Sequence, residues 1–332
     1  MSDTDIYRQL AKKIGMENSV LIPEIWRHIC SEEEAAILDA MPATAEDLAQ
    51  RFGRSPEDMN RILNELFLKG VVFDYTKEEK TVYRMPRHII QFHDATILWK
   101  EAPEKMIDLW IRYMEEEFPQ IPEMLTAINY PAFFRVIPIN EGIEAKSKVL
   151  PYEDAAAIVE KADNIAVTNC TCRLIMKKCD KPLEVCLQLN KGADYAIRRG
   201  TGRKISVDEA KRILKECEEA GLVHTTENKS GVGTVLCNCC ECCCEALPYL
   251  KNPATRGIVA PSRYRASVET EFCTACGSCI DICPVEALAL DDDGDCAVVD
   301  EDLCIGCGLC TGVCPVEAVM LVQIREESFI PA

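Results

Sequence analysis

The stretch CTACGSCIDICPVEA at residues 273–287 returns as CIGCGLCTGVCPVEA at residues 304–318. Both copies read Cys-x2-Cys-x2-Cys-x3-Cys-Pro, over Cys273, Cys276, Cys279 and Cys283 and then, 31 residues on, Cys304, Cys307, Cys310 and Cys314. Three thiolates two residues apart wrap a tight turn around one object, and Gly277, Gly306 and Gly308 give that turn the conformations it needs. Zinc held by paired C-x2-C units has no use for a third evenly spaced cysteine followed by Cys-Pro. The rest of the chain agrees that its thiols bind metal. Of 21 cysteines in 332 residues, 20 lie between Cys170 and Cys314, and the total is odd, which suits a disulfide framework badly. No apolar run is long enough to cross a bilayer, and the N-terminus is acidic, so the expected location is the cytosol, where thiols stay reduced.

The repeat resembles the bacterial two-cluster ferredoxins over roughly residues 264–324, with every ligand position present. That resemblance implies two [4Fe-4S] clusters whose fourth ligands are exchanged. Cys273, Cys276, Cys279 and Cys314 would hold the first, and Cys304, Cys307, Cys310 and Cys283 the second, with each Cys-Pro opening a helix. Residues 261–332 carry 3 basic and 14 acidic side chains, and so much negative charge disfavours an added electron. Between the copies, LALDDDGDCAVVD reads as a hairpin around Gly294. Cys296, surplus to both clusters, reads as a small buried thiol on a strand.

Residues 151–260 carry 16 basic and 15 acidic side chains and two cysteine groups. Cys170, Cys172, Cys179 and Cys186 follow the apolar run NIAVT. Cys237, Cys239, Cys240, Cys242, Cys243 and Cys244, in CNCCECCC, follow VGTVL. Between them runs a helix capped by Ser206, with Val207, Ala210, Leu214 and Cys217 on one face, so Cys217 belongs to the core. Two parallel strands joined by that crossover helix would bring both cysteine groups to one edge of a sheet. Ten thiols gathered there repel once ionised unless cations neutralise them, and one or two further [4Fe-4S] clusters would do so. Zinc and unliganded redox thiols are the alternatives. The CTCR and CNCCECCC elements, ahead of APSRYRA and the tail, resemble multi-cluster iron–sulfur proteins of anaerobes. Adjacent cysteines point different ways, so the sequence permits two cubes, one cube with spare thiols, or a cluster with an open iron. Arg173, Lys177, Lys178, Arg198, Arg199, Arg203 and Lys204 form the main positive patch, which is a solvated face, a docking surface for an acidic redox partner, or a counter-charge that raises the potential of nearby clusters. Gly231-Val-Gly233 lacks the rest of a dinucleotide fingerprint, so hydride chemistry is expected of a partner.

Residues 1–150 hold 18 basic and 26 acidic side chains and one cysteine. Residues 31–70 read as three short helices. In the third, Ser55 caps, Pro56 opens, and Met59, Ile62, Leu63, Leu66 and Phe67 share one face up to Gly70. VVFDYTKEEKTVYRM follows as two strands. This order, with AEDLAQRFGRSPEDMNRILNELFLKGVV, resembles a winged helix-turn-helix over about residues 31–87. Residues 31–90 hold 8 basic against 12 acidic side chains, which argues against nucleic acid and for protein docking. The aromatics of WKEAPEKMIDLWIRYMEEEF and INYPAFFRVI are read as packing.

The sequence therefore predicts a multidomain α+β chain. A helical region at 1–150 contains the winged-helix-like domain, an α/β cysteine-rich domain occupies 151–260, and a two-cluster ferredoxin domain occupies 261–332. The expected function is one-electron transfer through several [4Fe-4S] clusters, as an electron-relay subunit of a cytosolic anaerobic redox complex. Its partners would be a flavoprotein, ferredoxin or hydrogenase-type donor and an acceptor enzyme. The alternatives are an iron–sulfur reductase with an open-site cluster in the middle domain, and an iron–sulfur-dependent transcription regulator.

Overall fold

The computed structural model describes residues 5–144 and 147–332 and divides into two compact units, Met1–Pro119 and Gln120–Ala332. In the first unit, helix boundaries follow local capping chemistry. Ser31 and Glu34 close a capping box on helix Glu32–Asp39, and Thr44 with Asp47 does the same for Ala45–Phe52. The Ser55 hydroxyl accepts from the Asp58 N–H at 3.1 Å to start Pro56–Lys69, which Gly70 ends at φ 89°. That helix buries Met59, Leu63, Leu66 and Phe67. Strand β1 (Ala43–Thr44) pairs with β3 (Lys80–Arg84), and β3 with β2 (Phe73–Lys77), all antiparallel. The aromatic residues form the expected core here. Trp26 stacks on Phe92 at 4.0 Å, and Trp110 meets Phe92 and Tyr113 edge-on while its indole N–H donates to Thr96. In the second unit, by contrast, Tyr130 and Phe133 are exposed.

The second unit is built on a seven-stranded sheet of β4 (Phe134–Val136), β5 (Ile165–Asn169), β6 (Glu184–Leu189), β7 (Gly202–Lys204), β8 (Val223–Glu227), β9 (Val235–Cys239) and β10 (Val259–Ala260). Their order is β10-β4-β8-β9-β6-β5-β7, and every neighbouring pair is antiparallel except β10 with β4. This corrects the α/β expectation for the middle of the chain. The strands that precede the two cysteine groups, β5 and β9, do run in the same direction, but they are not neighbours. The cysteine-bearing β6 lies between them and opposes both. The sheet also recruits β4 from before residue 151. One face packs under helices Ala155–Glu160 and Val207–Glu219, where Val167, Leu187, Leu189, Leu214, Cys217 and Leu236 are buried. Helix Lys191–Arg199 packs on β5, β6 and β7.

Two hairpin-like pairs complete this unit: β11 (Tyr264–Val268) with β14 (Val319–Gln323), and β12 (Leu288–Leu290) with β13 (Ala297–Val299). A buried ion pair joins them to the sheet region. Arg263 Nε and Nη2 each donate to Glu153 at 2.7 Å, and the same guanidinium reaches the carbonyls of Lys148 and Arg325. Among the described residues no helix is long and apolar enough to cross a membrane.

Candidate metal centres

The tail carries its cysteines on two short loops of matching shape. Gly277 and Gly308 stand at φ 79° and 84° at the head of helical turns Ser278–Asp281 and Leu309–Gly312. Two residues earlier, Ala275 and Gly306 both have positive φ, 52° and 65°. A side chain at Gly306 would run into the Tyr264 carbonyl and Ser262, so this loop needs glycine for space as well as for conformation. The Cys-Pro pairs come after those helical turns and enter a tight turn, rather than opening a helix as expected. There Glu286 and Glu317 take positive φ, and the Ala287 and Ala318 N–H groups donate to Cys283 and Cys314, each at 3.2 Å.

The structure gathers the tail thiols in two sets. One pocket is lined by Cys283 together with Cys304, Cys307 and Cys310, and walled by Ala266, Leu288 and Leu321. Cys279 lies within electrostatic reach of Cys273, Cys276 and Cys314. Each cysteine from a Cys-Pro pair thus sits with the three thiols of the other loop. Burial pushes the Cys307 thiol up to about 12, so its ionisation there calls for a nearby cation. The Ala266 N–H reaches Cys304 at 3.5 Å and the Ala297 N–H reaches Cys273 at 3.4 Å, donors suited to a sulfur that carries charge. Cys276 alone of the eight is exposed. Cys296 lies outside both sets. It is half-buried in the turn before β13 and donates to Asp291 at 3.2 Å, which replaces the buried strand position expected for it.

The middle cysteines divide in a way that strand alternation explains. Cys186 on β6 lies opposite Thr168, and the β6–β9 register sets it opposite Cys237, whose other neighbour is Thr225 on β8. These residues share the sheet face away from Leu187 and Leu236, and Cys239 joins them two residues along β9. Cys170 and Cys172, at the end of β5, and Cys244, on the loop after β9, close the group. Thiol–thiol hydrogen-bond contacts run from Cys170 to Cys172, Cys244, Cys239, Cys237 and Cys186 in turn. Contacts with Cys237, Cys244 and Thr225 hold Cys239 below the usual thiol range. The Ala246 and Leu247 N–H groups point at Cys244 at 3.3 and 3.4 Å.

The other four thiols turn away. Cys179, Cys240, Cys242 and Cys243 have their sulfurs all within 4.8 Å of one another. Cys179 stands 4.0 Å from Cys240 and 3.9 Å from Cys243, and Cys242 and Cys243 are 3.8 Å apart. Burial alone would raise Cys240, but the Cys243 N–H and the Arg173 guanidinium bring it down to about 7. Arg173 itself is buried, donates to the Asn238 and Pro182 carbonyls, and lies within reach of both Cys170 and Cys240. It is therefore a cation between the two thiol groups, the counter-charge role that the sequence offered to the whole basic set without singling out Arg173. Of the expected positive patch, Arg199 is buried as well and Arg203 is held by Glu184 and Glu209, whereas Lys177, Lys178, Arg198 and Lys204 are exposed.

Comparison with known proteins places the tail. Residues 266–322 match the family model of the 4Fe-4S dicluster domain. No curated protein and no solved structure matches the chain. The dicluster domain ends at the Tyr264–Val268 and Val319–Gln323 strand pair, so the sheet and its ten clustered thiols lie outside the matched segment. Iron–sulfur binding in the tail and a cysteine-rich sheet beside it are thus the ground for a functional reading.

Proposed function

We propose that this chain relays single electrons between the two tail clusters and at least one more iron–sulfur cluster in the middle region, as a subunit of a larger redox assembly. The tail clusters would be held by Cys273, Cys276, Cys279 and Cys314, and by Cys304, Cys307, Cys310 and Cys283. Iron–sulfur clusters supply reversible one-electron chemistry at potentials set by charge, hydrogen bonds and solvent. The residues around them insulate and orient. One observation carries the reading: Cys239 and Cys244 of the ring pack against the same apolar cluster as Cys283, Cys304 and Cys307. A continuous dry contact between two thiol sites suits electron passage and excludes water from it. On this reading exposed Cys276 marks the end where a ferredoxin, flavoprotein or hydrogenase-type partner exchanges electrons with the chain.

The first unit would act as the docking module, with its winged-helix-like order of elements used for protein contact. Arg61 is engaged by Asp58 and Glu65, and Lys69 by Glu34, so these cations of helix Pro56–Lys69 are neutralised rather than offered to phosphates. The test is rapid-mixing reduction of the anaerobic full-length protein, with a reduced low-potential ferredoxin as donor. Cys307→Ala should remove one tail cluster and slow reduction of the middle region at least tenfold. Unchanged rates would sink the relay.

A further inference from the structure

We propose that Cys179, Cys240, Cys242 and Cys243 form a closed tetrahedral site for a single zinc ion, separate from every iron–sulfur site of the chain. Four thiolates about 2.3 Å from one zinc stand about 3.8 Å apart along the edges of a tetrahedron. Three of the six separations, 3.8, 3.9 and 4.0 Å, fall close to that edge length, and all six lie within 4.8 Å. The thiolates of a cubane radiate from four different irons and stand farther apart. The molecule contains its own control. Among the described residues, the eight tail cysteines, which belong to a 4Fe-4S dicluster domain, form no group of three sulfurs so close together.

The surroundings suit a structural ion. Four protein thiolates leave no open position, as in zinc sites that hold a fold together. Cys240 and Cys243 are buried, so solvent has little access. The resulting excess negative charge meets the Lys178 N–H, 3.4 Å from the Cys243 sulfur, and the Arg173 guanidinium beside Cys240. The ion would tie the loop after helix Thr171–Met176 to the turn after β9. Cys239 and Cys244 of the ring flank that turn directly, so the zinc would fix the positions of two ring thiols without sharing in their chemistry.

This site stands apart from the relay reading, because it is tested by metal content and not by electron transfer. The full-length protein, purified anaerobically from iron-replete culture, should contain one zinc per chain beside its iron. X-ray absorption at the zinc edge should show four sulfurs at about 2.3 Å. Cys242→Ser should lose the zinc and keep the iron and visible absorption, whereas Cys186→Ser in the ring should lose iron and keep the zinc. A wild-type protein without zinc, a zinc edge with nitrogen or oxygen neighbours, or a Cys242→Ser protein with about four irons fewer than wild type would overturn the proposal. Should Cys242→Ser fail to fold, the wild-type zinc count and edge spectrum decide alone.

Discussion

The tail and the ring of the middle region both collect cysteines, by opposite means. In the tail each set of three thiols lies on one loop of seven residues, and a single cysteine arrives from elsewhere. In the middle the four-thiol group repeats that plan, with Cys240, Cys242 and Cys243 on one turn and Cys179 from a loop 61 residues earlier. The ring does not: it draws on the end of β5, on β6, on β9 and on the loop beyond, and no one loop supplies three of its members. The tail therefore carries most of its ligand geometry in local backbone conformation. The ring borrows its geometry from a sheet that must already be folded. Metal retention should follow core stability in the second case far more than in the first.

The largest expected effect tests that contrast directly. Leu187→Ala removes a fully buried side chain next to Cys186, on the opposite face of β6, and should cost about 2–5 kcal/mol by chemical denaturation. Metal analysis of the variant should show loss from the middle and full occupancy in the tail. Equal loss from both would break the comparison. A smaller effect is expected at the seam. Burial, reinforced by Glu153, pushes Tyr264 up to about 12, so its hydroxyl stays protonated in the fold while the unfolded chain ionises near 10. The stability this contributes is present below pH 10 and is lost as pH rises from 10 to 12. With the side chain fully buried, it amounts to at most about 2.7 kcal/mol. Alkaline thermal melts should therefore fall less steeply in Tyr264→Phe than in the parent protein. The smallest effect distinguishes the two tail loops. Ala275 holds a left-handed conformation at φ 52°, whereas its counterpart is Gly306. Ala275→Gly should raise the denaturation midpoint by a net few tenths of a kcal/mol, because relief of strain of about 1–2 kcal/mol is offset by glycine's greater freedom when unfolded. A lower midpoint would mean that the loop is held by its cluster and not by its backbone.

What the sequence made legible follows the same division. The spacing of Cys273 to Cys283 and Cys304 to Cys314 is a local pattern, and local patterns survive in a string of letters. So do Ser55 and Gly70, whose chemistry acts within one helical turn. The middle was harder for a specific reason. EVCLQL, which became β6, lies between the two strands that were expected to pair, and its alternation puts Val185, Leu187 and Leu189 in the core with Cys186 outside. That insertion turns a parallel pair into an antiparallel sheet while leaving both cysteine groups at one end. The division of CNCCECCC was half legible. Neighbouring thiols were expected to diverge, but only the chain reversal after Cys239 decides that Cys240, Cys242 and Cys243 go one way and Cys239 and Cys244 the other. Arg173 was visible as a charge, but nothing in its neighbours said that it would be buried.

That guanidinium has a consequence for tuning. It fastens the Pro182 carbonyl, just before β6, and the Asn238 carbonyl on β9, and also faces sulfur in two separate groups. On the relay reading, a substitution here that shifts the midpoint potential of the ring would also loosen the anchoring of the four-thiol group. Tuning of the ring would thereby be steered toward residues elsewhere, with this one position held by two unrelated demands at once.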